Sequence, residues 1–197
     1  MKSAPNPSRS DGIPPRQRIL AAAGELFYRH GIRAVGVESI AEAAGTNKMT
    51  LYRHFESKDE LVAECLRQEA AKAEASWAAL EGQHPGDPLA QIRAWLAAMA
   101  AHVADCNARG CALANAAVEL PEKDHPARAV IEDCKRRQRD ALIRLCDKAG
   151  LSEPEMLADE FLLLIEGARV TAQSMGADGL DARLMRMSDA LIAAHRA

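Results

Sequence analysis

The sequence predicts an all-α protein of about nine helices, three in an N-terminal head and six in a larger body. Three observations point to this class. Hydrophobic residues make up 48% of the chain but aromatics only 4%, because alanine and leucine dominate, and the β-branched alternation that marks strands is scarce. Apolar residues recur at helical spacing instead. Between the periodic stretches lie glycines that end helices and prolines or capping residues that begin them.

Residues 1–14 open the chain with Pro5, Pro7, Ser8, Ser10 and Gly12, the composition of a disordered tail. Pro14 and Pro15 lead into a first helix, as proline does in a first turn. Its stripe is Ile19, Leu20, Ala23, Leu26 and Phe27, and Gly31 stops it. The stretch Val37 to Phe55, VESIAEAAGTNKMTLYRHF, then describes two short helices. The first runs to about Ala44, with Val37, Ile40, Ala41 and Ala44 on one face. Gly45 supplies the left-handed turn at no Cβ cost. Asn47 caps the second, Lys48 to about His54, which buries Leu51 and Phe55 and leaves Lys48, Thr50, Tyr52, Arg53 and His54 outside. Two short helices at a tight turn, the second with a polar, cationic outer face, make a helix-turn-helix shaped for a DNA major groove.

Ser57-Lys58-Asp59-Glu60 reads as a capping box that starts a long helix through Leu61, Cys65, Leu66 and Trp77 to near Gly82. Asp87-Pro88 opens the next, to about Asp105. A short helix follows Gly110 and ends at Pro121. Another long one begins at Asp124 to Pro126 and closes at Gly150. Ser152 to Glu155 repeats the capping-box pattern before a helix that ends near Gly176. The last starts about Asp181 and carries Leu184, Met187, Leu191 and Ala194. The expected domains are 15–62, DNA-binding, and 63–197, ligand-binding and dimerising.

Net charge is −3, but it is unevenly spread: residues 1–62 carry nine Lys/Arg against seven Asp/Glu, and residues 63–197 sixteen against twenty-one. The basic excess lies with the helix-turn-helix, as a DNA-facing head on an acidic body requires. No signal peptide is visible, and no apolar run approaches the roughly 18 residues of a membrane helix, so a cytoplasmic protein with no membrane partner is expected. Five cysteines, an odd number without CxxC spacing, read as reduced thiols. No nucleophile–base pair, paired carboxylates or cofactor loop can be picked out, so neither an enzyme nor a cofactor is expected. Zinc-type ligand spacing is absent too, so no metal is expected.

The run from Arg18 to Leu61, RILAAAGELFYRHGIRAVGVESIAEAAGTNKMTLYRHFESKDEL, resembles TetR-family transcriptional regulators. The matching residues are Ile19-Leu20, Leu26-Phe27, Gly31, Ile40-Ala41, Ala44-Gly45, Leu51-Tyr52, His54-Phe55 and Ser57-Lys58, with the spacing kept across four helices. The body resembles the family in length, helix count and the segment Gly110, Cys111, Asn115, Glu119. Two positions depart: Gly36 stands where a Thr or Ser often caps the second helix, and Met49 where a small residue is common.

The resemblance implies a ligand-responsive, sequence-specific DNA-binding regulator, a repressor released from its operator by a small-molecule effector. Its partners would be double-stranded DNA with a palindromic operator, the effector and a second copy of the chain. DNA contacts are expected from Thr46, Asn47, Lys48, Thr50, Tyr52, Arg53, His54 and Lys58. In the body, Trp77, Trp95, Met99, His102, Cys106, Cys111, Asn115, Glu119 and Phe161 are candidates to line a pocket, although core packing explains each of them as readily. Cys106 and Cys111 suggest a redox switch, with buried inert thiols as the plainer alternative. Lys135-Arg136-Arg137-Arg139 reads as a solvated helix face.

The last two helices carry two apolar seams. Leu157, Phe161, Leu164, Ala168 and Met175 lie on one side, and the small set Gly167, Val170 and Ser174 on another. One seam packs in its own body. The other suits a symmetric four-helix contact, with Leu164, Ala168, Met175, Leu184, Met187 and Leu191 as the expected dimer interface. A helical scaffold that has lost DNA binding is the remaining alternative.

Overall fold

Four helices open on a proline in the first turn, Pro15, Pro88, Pro126 and Pro154, where the missing N–H costs nothing and the fixed φ already suits a helix. The computed structural model describes residues 12–105 and 109–196, so the proposed tail falls outside it up to residue 11, as does Cys106. Among the described residues there are nine α-helices and no strand. An isolated bridge joins Leu151 and Arg196. The chain divides into two compact units, one ending at Cys65 and the other beginning at Leu66.

The first unit holds α1 (Pro15–His30), α2 (Val37–Ala43), α3 (Lys48–His54) and the start of α4 (Lys58–Gln83). Its core is Ile19, Leu20, Ala23 and Phe27 of α1 against Val37, Ile40, Leu51, Phe55 and Leu61. Leu26 is half-buried at the edge of that stripe. Burying an aliphatic side chain of this size is worth about 1.5–3 kcal/mol, which is what holds such short helices in place. The turn between α2 and α3 closes as a Schellman motif: Gly45 N–H donates to Glu42 O at 3.0 Å and Thr46 N–H to Ala41 O at 2.9 Å. Gly45 sits at φ 62°, in the left-handed region.

The second unit holds the rest of α4 with α5 (Pro88–Ala104), α6 (Ala112–Glu119), α7 (Pro126–Lys148), α8 (Pro154–Met175) and α9 (Leu180–Ala194). Helix α5 packs on α7, α8 and α9, and its Ile92, Trp95 and Leu96 meet Leu142, Leu157, Phe161, Ile165, Leu184 and Ile192 in one core. The α7–α8 turn also ties down the end of α9. His195, only 7% exposed, pairs its Nδ1 with Ser152 O at 2.7 Å and its Nε2 with Glu160 at 3.1 Å.

Three expectations need correction. Ser152 does not cap α8. Its hydroxyl donates to His195 O at 3.1 Å, and the cap position is Glu153, at φ 48° with no side-chain bond. Lys135, Arg137 and Arg139 of α7 do not form a merely solvated face. Lys135 pairs with Glu166 at 2.6 Å, Arg139 grips Asp159 with two bonds of 2.6 and 2.8 Å, and Arg137 holds Glu74, so three cations tie α7 to α8 and α4. Finally, the two seams of α8 sort themselves physically. Ala168 and Leu184 lie in the subunit's own core at 8% and 1% exposure. Leu164 and Leu191 are partly buried against the same core. The large apolar side chains left uncovered on α8 and α9 are Met156, Leu163, Val170, Met175 and Met187.

Candidate nucleic-acid interface and effector cleft

The α3 helix is built to show one face. Asn47 accepts the Thr50 N–H at 2.9 Å and so fixes the first turn. Leu51 is sealed in the core. Met49 is 77% exposed, Tyr52 is 42% exposed, and Arg53 and His54 stand in solvent. Thr46 and Thr50 are half-buried. The two lysines, Lys48 and Lys58, are held, however. Lys48 Nζ lies 2.6 Å from Glu38 Oε1 on α2 and 6.0 Å from the Tyr52 ring centroid. The bond to Glu38 raises the Lys48 pKa and lowers that of Glu38. Lys58 donates to Ile32 O at 2.6 Å and lies 5.9 Å from the Phe27 ring centroid. Its ammonium therefore braces the α1–α2 connection, which its place beside the α4 amides did not reveal. Asn47 likewise spends its side-chain oxygen on the cap.

In the second unit, α4 and α7 enclose a cleft of about 480 Å³. Arg67, Glu74 and Trp77 line it from α4, with Asp133, Cys134 and Arg137 from α7 and small alanines between them. Arg137 spans it, bonded to Glu74 and, at 2.7 Å, to Asp133. Trp77 stacks on Trp95 with centroids 5.4 Å apart and planes 17° off parallel. Burial pushes the Cys134 thiol pKa up, which keeps it a neutral thiol.

Of the pocket candidates read from the sequence, Trp77 lines this cleft. Trp95 and Phe161 are core residues, 4% and 0% exposed. Met99, His102, Cys111 and Asn115 lie near the start of α6. There His102 Nε2 meets Gly110 O at 3.1 Å, and Asn115 donates to Arg109 O at 2.6 Å. Glu119 is half-exposed at the far end of α6. The sequence reading missed Glu74, Asp133, Cys134 and Arg137, for which the signal was charges at helical spacing beside an alanine stripe. It also missed Arg169, a lone arginine inside the apolar run of α8.

The description "Bacterial regulatory proteins, tetR family" matches residues 19–65, the head and the first turns of α4. The match of a solved regulator from Streptomyces avermitilis, the tetr-transcriptional regulator sav143, extends much further. It is 31% identical, covers 93% of this chain and 98% of that one, and superposes with a TM-score of 0.78. The chain belongs to the TetR family of transcriptional regulators.

As a TetR-family protein it is a DNA-binding regulator of transcription and not an enzyme. Family members bind DNA and usually act as dimers with small-molecule effectors. Two curated relatives are similar in the head. The transcriptional repressor KstR2 of Rhodococcus jostii is 46% identical over 52 residues, 26% of either chain. The transcriptional activator FasR of Mycolicibacterium smegmatis is 48% identical over 46 residues, 23% of this chain and 21% of that one. The match thus spans about a quarter of the length of these relatives. No helix among the described residues is long and apolar enough to cross a membrane, and no cluster of potential metal ligands occurs among them.

Proposed function

We propose that this TetR-family regulator is a cytoplasmic homodimeric repressor that a small-molecule effector releases from a palindromic operator. Residues 15–62 read DNA, and residues 63–197 bind the effector and the second copy. The observation that carries this reading is the outer face of α3, where Tyr52, Arg53 and His54 stand in solvent on a helix fixed by its Asn47 cap and its buried Leu51. Lys48 and Thr50 reach base edges or phosphates from its first turn, and Tyr52 and His54 bond phosphates. Lys58 offers phosphate the protons it does not give to Ile32. Thr46 and Asn47 set the turn itself.

The dimer contact is the uncovered stripe of Leu163, Val170, Met175 and Met187, with Gly167 and Ser174 letting backbones approach. It places the two reading helices in successive major grooves, about 34–36 Å apart or a multiple of that. The effector enters the α4–α7 cleft, where Arg137 bonded to Glu74 is the contact it must displace. Helix α4 carries the response, because its first turns belong to the head and its later turns wall the cleft. Coupling of this kind needs an element with two arrangements that both ligands bias.

The test begins with duplexes selected from a random library by the purified protein, whose affinity is then measured as salt rises. The logarithm of the binding constant should fall linearly with log salt, with a slope of roughly −0.9 per phosphate contact. Tyr52→Ala with Lys58→Ala should weaken binding while sedimentation still reports a dimer. Failure to enrich any sequence, or affinity indifferent to salt, would refute the reading.

A further inference from the structure

Large apolar side chains left in solvent are few in the first unit. Among its described residues they are Ile13, ahead of α1, and Met49 and Tyr52, which share α3. Met49 is the most open of the three, at 77% exposure. It stands three residues before Tyr52 and four before Arg53, so these side chains line one side of the helix. With about 100° between successive residues, Met49 falls about 160° and Arg53 about 200° round the axis from the buried Leu51. The two therefore flank the crest of α3, the line farthest from its own core.

A thioether on that crest has no local explanation. Helix propensity does not select it, since Lys, Gln and Glu form helix about as well and suit water better. Capping does not need it, because the first turn is fixed by Asn47 accepting the Thr50 N–H at 2.9 Å. The DNA backbone does not reward it either, as phosphate and sugar oxygens take hydrogen bonds that a thioether cannot donate. In the major groove, base edges present donors and acceptors with one apolar exception, the 5-methyl group of thymine. A recognition helix meets base edges with its N-terminal residues, and Met49 is the second residue of α3. Its unbranched, flexible chain adapts to a methyl group of fixed position. A lone exposed methionine elsewhere on a surface calls for no account. Here position and chemistry coincide.

We propose that Met49 reads the 5-methyl group of a thymine in each half-site of the operator and is a specificity-determining residue of α3. This assignment rests on the DNA-reading role given to α3 above and adds the base feature that it recognises. Contact with thymine takes two methyl groups out of water and costs no hydrogen bond. Cytosine carries only hydrogen at the same carbon, which leaves the thioether without that contact. A purine there turns its N7 acceptor toward a side chain that has no donor, and the acceptor loses its water unpaired. Burying one methyl group is worth about fourfold in affinity, so a palindrome read by two copies gains about fifteenfold.

The experiment takes the duplex that the full-length protein selects from a random library and replaces its thymines by deoxyuridine, one symmetric pair at a time. Uracil differs from thymine only in lacking the methyl group. Affinity is measured at fixed salt for the parent protein, Met49→Ala and Met49→Gln. One pair of replacements should weaken binding of the parent by about fifteenfold. Both variants should bind the thymine duplex more weakly by a similar factor and should not distinguish thymine from uracil at that pair. Their penalties at every other pair should match the parent's. Met49 lies in solvent, so the Tm and sedimentation of both variants should also match. A selected duplex without thymine, a site where no uracil pair costs affinity, or uracil penalties that survive in both variants would overturn the assignment. Sequence-specific, salt-dependent binding in any of those cases still supports α3 as the reading helix. Failure to enrich any duplex sinks DNA reading itself, and the role of Met49 with it.

Discussion

Lys48 on the reading helix and Glu38 on the preceding helix are joined at 2.6 Å, ten residues apart in sequence and both largely exposed. On the proposed DNA-binding reading, the pair engages the first cation of α3 and sets a carboxylate beside it. An exposed ion pair adds little to stability, so its consequence belongs to binding. Glu38→Gln should free Lys48, tighten DNA binding at low salt and steepen the log–log salt dependence by about 0.9, the increment for one added phosphate contact. Unfolding midpoints should hardly move. A salt slope identical to that of the parent protein would show that Lys48 contacts no phosphate even when released.

The cap of α3 gives a second expectation. Asn47 satisfies the Thr50 amide at 2.9 Å on a helix of only seven residues, and a helix this short has almost no stability of its own. Asn47→Ala should cost about 1 kcal/mol of stability, and Asn47→Asp should retain the cap. Thermal unfolding of the two variants at equal concentration distinguishes them. DNA affinity should follow the same order, because the cap positions Lys48 and Tyr52.

The head was legible because its determinants are local. Gly45, Asn47 and Ser57 each act within five residues of where they stand, and the structure finds each at work. What escaped sequence reasoning depends on distant partners. Arg137 and Glu74 are 63 residues apart, and nothing in either segment announces the other. Lys58 looked like a free ammonium at a helix start until the Ile32 carbonyl came within 2.6 Å. Helix α8 failed for a different reason. Both of its seams are apolar, so helical periodicity identifies two stripes without saying which meets its own core. Only the packing of α5 against α8 and α9 decides that Ala168 and Leu184 go inside while Leu163 and Met187 stay out.

That sorting yields a contrast. Leu163 is 75% exposed and Leu184 1% exposed. Leu163→Asp with Val170→Asp should leave helix content and Tm of the subunit nearly intact and shift the sedimenting species from dimer to monomer. Leu184→Asp should unfold the protein, because an unpaired carboxylate in the core costs several kcal/mol. Persistence of the dimer in the first variant would move the interface off the α8–α9 face.

The Arg139–Asp159 pair predicts a feature on the acid side. The Arg139 hydrogen bond holds the Asp159 carboxyl below its usual value of 3.8. A carboxylate depressed in the folded state contributes stability that is present above its unfolded pKa and lost as pH falls through the folded one. Urea midpoints of the parent protein and of Asp159→Asn should therefore differ at pH 7 and converge toward pH 3. The difference is expected to be small, since both side chains are more than a third exposed. A gap that persists unchanged at pH 3 would assign it to something other than this ion pair.

Cys146 makes the alkaline counterpart. It is fully buried in the α5–α7–α8 core, and burial alone pushes its thiol from 9.0 to about 11. At pH 8 the folded protein then holds on the order of one thiolate in a thousand at this position, behind a closed wall. A thiol reagent should leave Cys146 and the buried Cys65 untouched in the native protein and modify both after unfolding, whereas the half-exposed Cys111 reacts early. The same shift has a stability consequence. A group whose folded pKa is raised contributes stability that is whole below its unfolded pKa and declines as pH rises toward the folded value. Global stability should thus fall between about pH 9 and 11, and Cys146→Ala should remove that part of the decline. Native-state labelling of Cys146 at pH 8, at a rate close to that of Cys111, would mean that the core opens there far more often than its packing allows.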